Sequence, residues 1–190
     1  MKDIGGKNMS KTEENAKKAF AGESQARNKY DYFAKAARKE GFLYIAKIFE
    51  ETAENEMQHA KDEFRIMNKI GNTEENLKEA IKGENYEHTE MYPQMQKDAE
   101  EEGNQEAAKL FKEIAEVEEQ HERRFKKLLK MVQEGKVFER EKPIRWKCGK
   151  CGYIHVGTTP PEECPSCKHP KDYYEPECMC FEEDCKVCSQ

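Results

Sequence analysis

From Ser10 to about Glu134 the chain alternates charged and apolar residues at steps of three and four, the pattern of long helices with one dry face and one wet one. Ser10-Lys-Thr-Glu13 reads as a capping box that opens a first helix running to about Lys39, ahead of Gly41. A second helix is expected from Phe42 to about Ile70, stopping at Gly71-Asn72. A third starts near Thr73, with Glu74 and Glu75 favourably placed in its first turn, and ends near Gly103. A fourth runs from Asn104 to about Glu134, ahead of Gly135. Helices of roughly thirty residues are about 45 Å long. Four of them with short connections predict an antiparallel four-helix bundle. Pro93 falls inside the third helix and is expected to kink it or remove a backbone bond there.

Two of the apolar stripes are interrupted in the same way. Ala107, Phe111, Ile114, Glu118, His121, Phe125, Leu128 and Val132 follow one another on one face, as do Ile45, Phe49, Thr52, Glu56, His59, Ile66 and Ile70. Each stretch contains Glu-x-x-His, and a helix brings residues three apart to the same side. Glu56 with His59, and Glu118 with His121, are therefore expected to point into the core and to offer a carboxylate oxygen and an imidazole nitrogen to one point. A buried carboxylate needs a partner, a proton or a metal.

The repeat reaches further back. Ala-Gly-Glu23 in the first helix matches Lys-Gly-Glu84 in the third at an offset of 61, and the Glu-x-x-His copies match at 62. The bundle is read as two helix hairpins, each giving a lone Glu from its first helix and a Glu-x-x-His from its second. That ligand set is the known pattern of di-iron and di-manganese carboxylate bundles. Carboxylate and imidazole suit iron or manganese, with zinc as a competitor. Glu87, one turn after Glu84, aligns with Ala26 and gives the second half one extra carboxylate.

Composition narrows the class. The chain has 190 residues, 38% of them charged, and a net charge of -6, with Lys and Arg interspersed among Glu rather than gathered into a patch. A nucleic-acid footprint is not expected. The start has no apolar run and no stretch is long and apolar enough to span a membrane, so a cytoplasmic protein is expected. All eight cysteines lie after residue 147. In a reducing compartment that crowding points to metal rather than disulfides.

From Lys142-Pro143 the helical period stops. Trp146-Lys-Cys148-Gly-Lys-Cys151-Gly-Tyr153 is followed by Cys164-Pro-Ser-Cys167, and paired Cys-x-x-Cys knuckles build a tetrahedral four-sulfur site. Spacing alone fits zinc or a single iron equally, a structural ribbon in the first case and a one-electron carrier in the second. Cys178, Cys180, Cys185 and Cys188 close the chain as a second thiol group, either a further metal or redox site or a thiol-rich tail.

With both ligand sets in view, the chain resembles the rubrerythrin family over about residues 10–176. Gly22-Glu-Ser-Gln-Ala-Arg-Asn-Lys-Tyr30, Glu87-His-Thr-Glu-Met-Tyr-Pro93 and the cysteine knuckles carry the resemblance; the terminal cysteine group departs from it. The resemblance implies a ferritin-like di-iron bundle over 1–140, a rubredoxin-like domain over 141–176 and a cysteine-rich tail over 177–190. It implies a non-haem peroxidase that reduces hydrogen peroxide to water and protects against oxidative stress. By position, Glu56 and Glu118 would bridge two irons, with Glu23 and His59 at one and Glu84 and His121 at the other. Glu87 would take over from His59 on oxidation, and Tyr30 and Tyr92 would donate hydrogen bonds to the carboxylates. Cys148, Cys151, Cys164 and Cys167 would hold one iron that passes electrons inward from an external donor, a reductase or a rubredoxin. A head-to-tail homodimer is implied as well. The rival readings are a ferroxidase or iron-storage protein, against which a built-in electron carrier speaks, and a zinc-ribbon interaction protein, which would be colourless.

Overall fold

The computed structural model describes residues 10–178. The chain forms two compact units, Met1–Gly71 and the remainder from Asn72 onward.

The first unit is a helix hairpin of α1 (Lys11–Lys39) and α2 (Leu43–Ile66). The expected capping box is present: the Glu13 N–H donates to Ser10 Oγ at 3.2 Å, and the Ser10 N–H donates to Glu13 Oε2 at 2.8 Å. These bonds satisfy donors that a helix start leaves open. Gly41, at φ +87°, turns the chain toward α2 in a conformation that a side chain would disfavour. Small residues line the seam, since Ala16, Ala34, Ala37, Ala46, Ala53 and Ala60 are the buried ones. Ring contacts flank it, Phe20 with Phe64 at 4.9 Å and Phe33 with Phe49 at 5.6 Å. Arg38 clasps Glu50 across the hairpin at 2.6 Å.

α2 ends four residues before the expected Ile70. Asn68 adopts the left-handed conformation at φ +50° and its N–H bonds back to Arg65, which stops the helix although Ile66 and Ile70 keep its period.

The second unit begins with α3 (Thr73–Tyr86), a π-helical turn (Glu87–Met91), α4 (Tyr92–Glu101) and α5 (Gln105–Gln133). A second capping box, Asn72 with Glu75, opens α3. The expected disturbance at Pro93 takes a different form. Pro93 lies in the first turn of α4, where its missing N–H costs little, and the irregularity is the π-turn just before it. There the Tyr92 N–H reaches Glu87 O, five residues back, and the Thr89 hydroxyl donates to Asn85 O at 2.6 Å. The repeat explains the turn. Glu23 and Glu84 are 61 apart, whereas Tyr30 and Tyr92, and Gly41 and Gly103, are 62 apart. One residue is inserted between Glu84 and Tyr92, and a π-turn absorbs a single extra residue without ending the helix.

Beyond α5 the chain builds a three-stranded antiparallel sheet in the order β2-β1-β3, from β1 (Ile144–Cys148), β2 (Ile154–Gly157) and β3 (Tyr174–Pro176). Its core is Trp146, Cys148, Cys164 and Tyr174, with Phe138, Ile144 and Cys167 packed against it. The Trp146 indole donates to Gly157 O at 3.0 Å, and the Arg140 guanidinium lies over its ring at 5.1 Å. Among the described residues no helix is long and apolar enough to cross a membrane.

Candidate metal centres

Each helical unit brings together one of the expected ligand sets. In the first, Glu23 of α1 and Glu56 and His59 of α2 place one ligand atom each within 4.8 Å of one another. His59 Nδ1 lies 2.8 Å from Glu56 Oε2. The Glu23 carboxyl is pushed up by a hydrogen bond with Glu56, by burial and by the charges of Glu56 and Glu63, with His59 opposing. Two carboxylates this close share a proton more readily than they bear two charges. Glu63 adds a third carboxylate, whose Oε2 is enclosed without a hydrogen-bond partner.

The second unit repeats the arrangement with Glu84 of α3 and Glu118 and His121 of α5, again within 4.8 Å. His121 Nδ1 lies 2.6 Å from Glu118 and 3.6 Å from Glu84. Burial first and then the Glu118 charge push the Glu84 carboxyl up, against the pull of His121. Both Glu-His pairs were expected to point into the core; the carboxylates are half-buried and the rings more exposed. His59 is 59% and His121 43% exposed, against 16% for Glu56 and 15% for Glu118. The physical reason in the α1–α2 hairpin is that two helices share only one seam, which the alanines fill, so longer side chains on the stripe lie at its margin.

Glu87 opens the π-turn, half-buried. It stands outside the Glu84, Glu118 and His121 trio, yet its charge raises both Glu84 and Tyr92. Tyr92 is held protonated by burial, then by the charges of Glu87 and Glu118, and its ring lies 6.3 Å from Phe111. Tyr30 makes the matching contact in the first unit, 6.0 Å from Phe49.

Sequence reasoning missed a buried cluster beside this trio. Glu122, next to His121, is 5% exposed, and its carboxylate meets Lys126 Nζ at 2.8 Å and His88 Nε2 at 3.4 Å. Although burial opposes ionisation, hydrogen bonds from Lys126, Asn85 and His88 hold its carboxyl below the usual range. Since Asn85 and His88 flank the start of the π-turn, the cluster ties that turn to α5.

The four knuckle cysteines, all free thiols, also lie within 4.8 Å of one another. Cys148 Sγ to Cys167 Sγ and Cys151 Sγ to Cys164 Sγ are both 3.7 Å. A tetrahedron with metal–sulfur bonds of ~2.3 Å has edges of about 3.8 Å, so the sulfurs already have the spacing of a metal shell. Gly149 lets the backbone close on this site, its N–H meeting Tyr173 O at 2.7 Å where a Cβ would lie 3.3 Å from the same oxygen. The N–H groups of Ser166 and Cys167 reach the Cys164 sulfur, and that of His169 reaches Cys167. Such donors aimed at sulfur stabilise thiolates. Crowded carboxylates beside imidazoles in the helices, and four convergent sulfurs here, are donor sets that a hard cation and a soft one respectively would relieve. Of the terminal cysteine group only Cys178 is described; Cys180, Cys185 and Cys188 lie outside the described residues.

The rubrerythrin family model matches residues 14–129, and the model for the rubrerythrin rubredoxin-like domain matches residues 146–175. The chain belongs to the rubrerythrin family. It is 47% identical to Rubrerythrin-1 of Clostridium acetobutylicum, over 87% of this chain and 93% of that one. It is 46% identical to a rubrerythrin of Nitratidesulfovibrio vulgaris, over 87% and 94% of the two chains. A rubrerythrin of Porphyromonas gingivalis is 47% identical, over 88% and 90%. The fold is accordingly the family's: a ferritin-like all-α domain, in which α3, the π-turn and α4 count as one helix of four, followed by a small rubredoxin-like domain. Its cofactors are a carboxylate and histidine di-iron centre and one metal in four thiolates. As a member of this family, the chain is a di-iron and rubredoxin-like protein, which is consistent with electron-transfer partners.

Proposed function

We propose that the chain is a peroxidase that reduces hydrogen peroxide to water, with electrons entering through the four-sulfur iron. The observation that carries this reading is the presence, in one chain, of two Glu-Glu-His trios and a four-sulfur site of metal-shell spacing. Glu23, Glu56 and His59 would hold one iron, and Glu84, Glu118 and His121 would hold another. When bound, two ferrous ions would supply the two electrons that, with two protons, the reduction of one peroxide to two waters requires. Glu87 adds negative charge beside the second trio and so favours the more highly charged ferric state. Tyr92, kept protonated beside Glu87 and Glu118, offers an O–H donor there, and Tyr30 takes the corresponding place in the first unit. Cys148, Cys151, Cys164 and Cys167 would hold the iron that receives single electrons from an external reductase or rubredoxin.

The domain limits follow this division of labour, 1–140 for the di-iron bundle, 141–176 for the electron carrier and 177–190 for the tail. The protein acts as a homodimer in the cytoplasm, where a reducing environment keeps the four thiols available to metal. A steady-state assay tests the reading: iron-loaded protein, peroxide and a reduced dye as electron donor. Two dye electrons are expected to be consumed per peroxide, with turnover lost in Cys151→Ser. Peroxide left untouched while oxygen is consumed would replace the peroxidase with a ferroxidase.

A further inference from the structure

Tyr174 opens β3 opposite Cys148 and belongs, with Trp146, Cys148 and Cys164, to the buried core of the rubredoxin-like domain. It is 4% exposed, and its enclosed hydroxyl has no hydrogen-bond partner. Burying a hydroxyl unpaired is costly, and a phenylalanine would fill the same space without that cost. Cys164 is one of its neighbours in that core, and burial and this sulfur together push the phenol up. A thiol is a weak acceptor, whereas a thiolate carries the charge that makes a strong one. The hydroxyl is therefore a donor whose acceptor is completed when Cys164 ligates a metal.

We propose that Tyr174 donates its O–H to the Cys164 thiolate in the iron-loaded domain and raises the reduction potential of the four-sulfur iron. Ferric iron with four thiolates carries a net charge of -1, and one added electron makes it -2, with no bond formed or broken. A donor aimed at sulfur stabilises the more negative form more, so it favours the ferrous state. The Ser166 and Cys167 N–H groups act on the same sulfur from the backbone. Tyr174 is the contribution from a side chain, and so the one a substitution can remove cleanly. It is a positioning and tuning residue, not a catalytic one.

The test is a spectroelectrochemical titration of the full-length, iron-loaded protein, following the ferric thiolate absorption in the wild type and in Tyr174→Phe. At the wild-type midpoint the variant is expected to show a ferric to ferrous ratio of about three. That is a fall of about 28 mV at ~59 mV per tenfold for one electron. Tyr173→Phe, which removes an exposed hydroxyl one residue away, is expected to keep the wild-type midpoint. Resonance Raman spectra supply a second readout, in which the shift of the iron–sulfur stretches between H2O and D2O is expected to shrink in Tyr174→Phe. An unchanged or higher midpoint in Tyr174→Phe, an equal fall in Tyr173→Phe, or an undiminished deuterium shift would overturn the proposal.

Discussion

Replacing Glu84 by glutamine separates a site built for a cation from one built for stability. The ligand atoms of Glu84, Glu118 and His121 lie within 4.8 Å of one another. Two carboxylate charges at that distance repel by about 0.9 kcal/mol at the dielectric of water and about 3.5 kcal/mol at an effective dielectric near 20. Glu84 and Glu118 are 20% and 15% exposed, which places the site between those limits. His121, 2.6 Å from Glu118, offsets part of the repulsion. A net relief of about 1 kcal/mol remains, which for a chain of this size is a rise in Tm of about 2–4 °C.

Glu84→Gln keeps the shape and removes one charge, so the metal-free variant is expected to unfold at higher temperature than the wild type at pH 8. A carboxyl whose folded value is raised costs stability as pH climbs above its unfolded value, and the cost is complete above the folded one. The gain should therefore disappear in acid. Ferrous or cobaltous ion should reverse the order, because a cation stabilises the folded form in proportion to its affinity for it and the variant has lost a charged ligand. The assay is helical circular dichroism against temperature, with and without metal. A variant less stable than the wild type without metal, and equally stabilised by it, would show that protein contacts rather than a cation account for the carboxylates.

Other substitutions probe the parts around the centres. Asn72→Ala removes the capping box of α3 and is expected to cost about 1 kcal/mol in chemical denaturation. Glu122→Ala leaves the half-buried His88 without its partner on α5 and is expected to cost about 1–3 kcal/mol, with the loss read in the same titration. Glu87→Ala should keep the fold and the iron content yet slow turnover with peroxide, and unchanged stopped-flow rates would remove Glu87 from the mechanism.

Much of the helical architecture was legible because its signals are local. Ser10 with Glu13 marks a start, Gly41 and Gly103 mark turns, and Glu-x-x-His repeats at helical spacing. The end of α2 was not, because Ile66 and Ile70 continue the apolar period while Asn68 alone leaves the helix. The π-turn was written in the change of repeat offset from 61 to 62, but Pro93 is the louder local signal and drew the irregularity toward itself. Glu122 was overlooked: it lies four residues after Glu118 and three before Phe125, beside the apolar stripe, but a charged residue there reads as solvated, and His88, its partner, is 34 residues away. Tyr174 was equally silent, since nothing in the Tyr173-Tyr174 pair tells which ring is buried, and only the fold sets it beside a cysteine 10 positions earlier. Exposure of His59 depends on what covers a helix face, which periodicity does not report.

The decisive measurement is to reduce the iron-loaded protein without oxygen, mix it with matched amounts of peroxide or oxygen, and follow recovery of the ferric thiolate colour. Fast recovery with peroxide and slow recovery with oxygen is the result expected of a peroxidase wired through its rubredoxin-like domain. Preference for oxygen would contradict it.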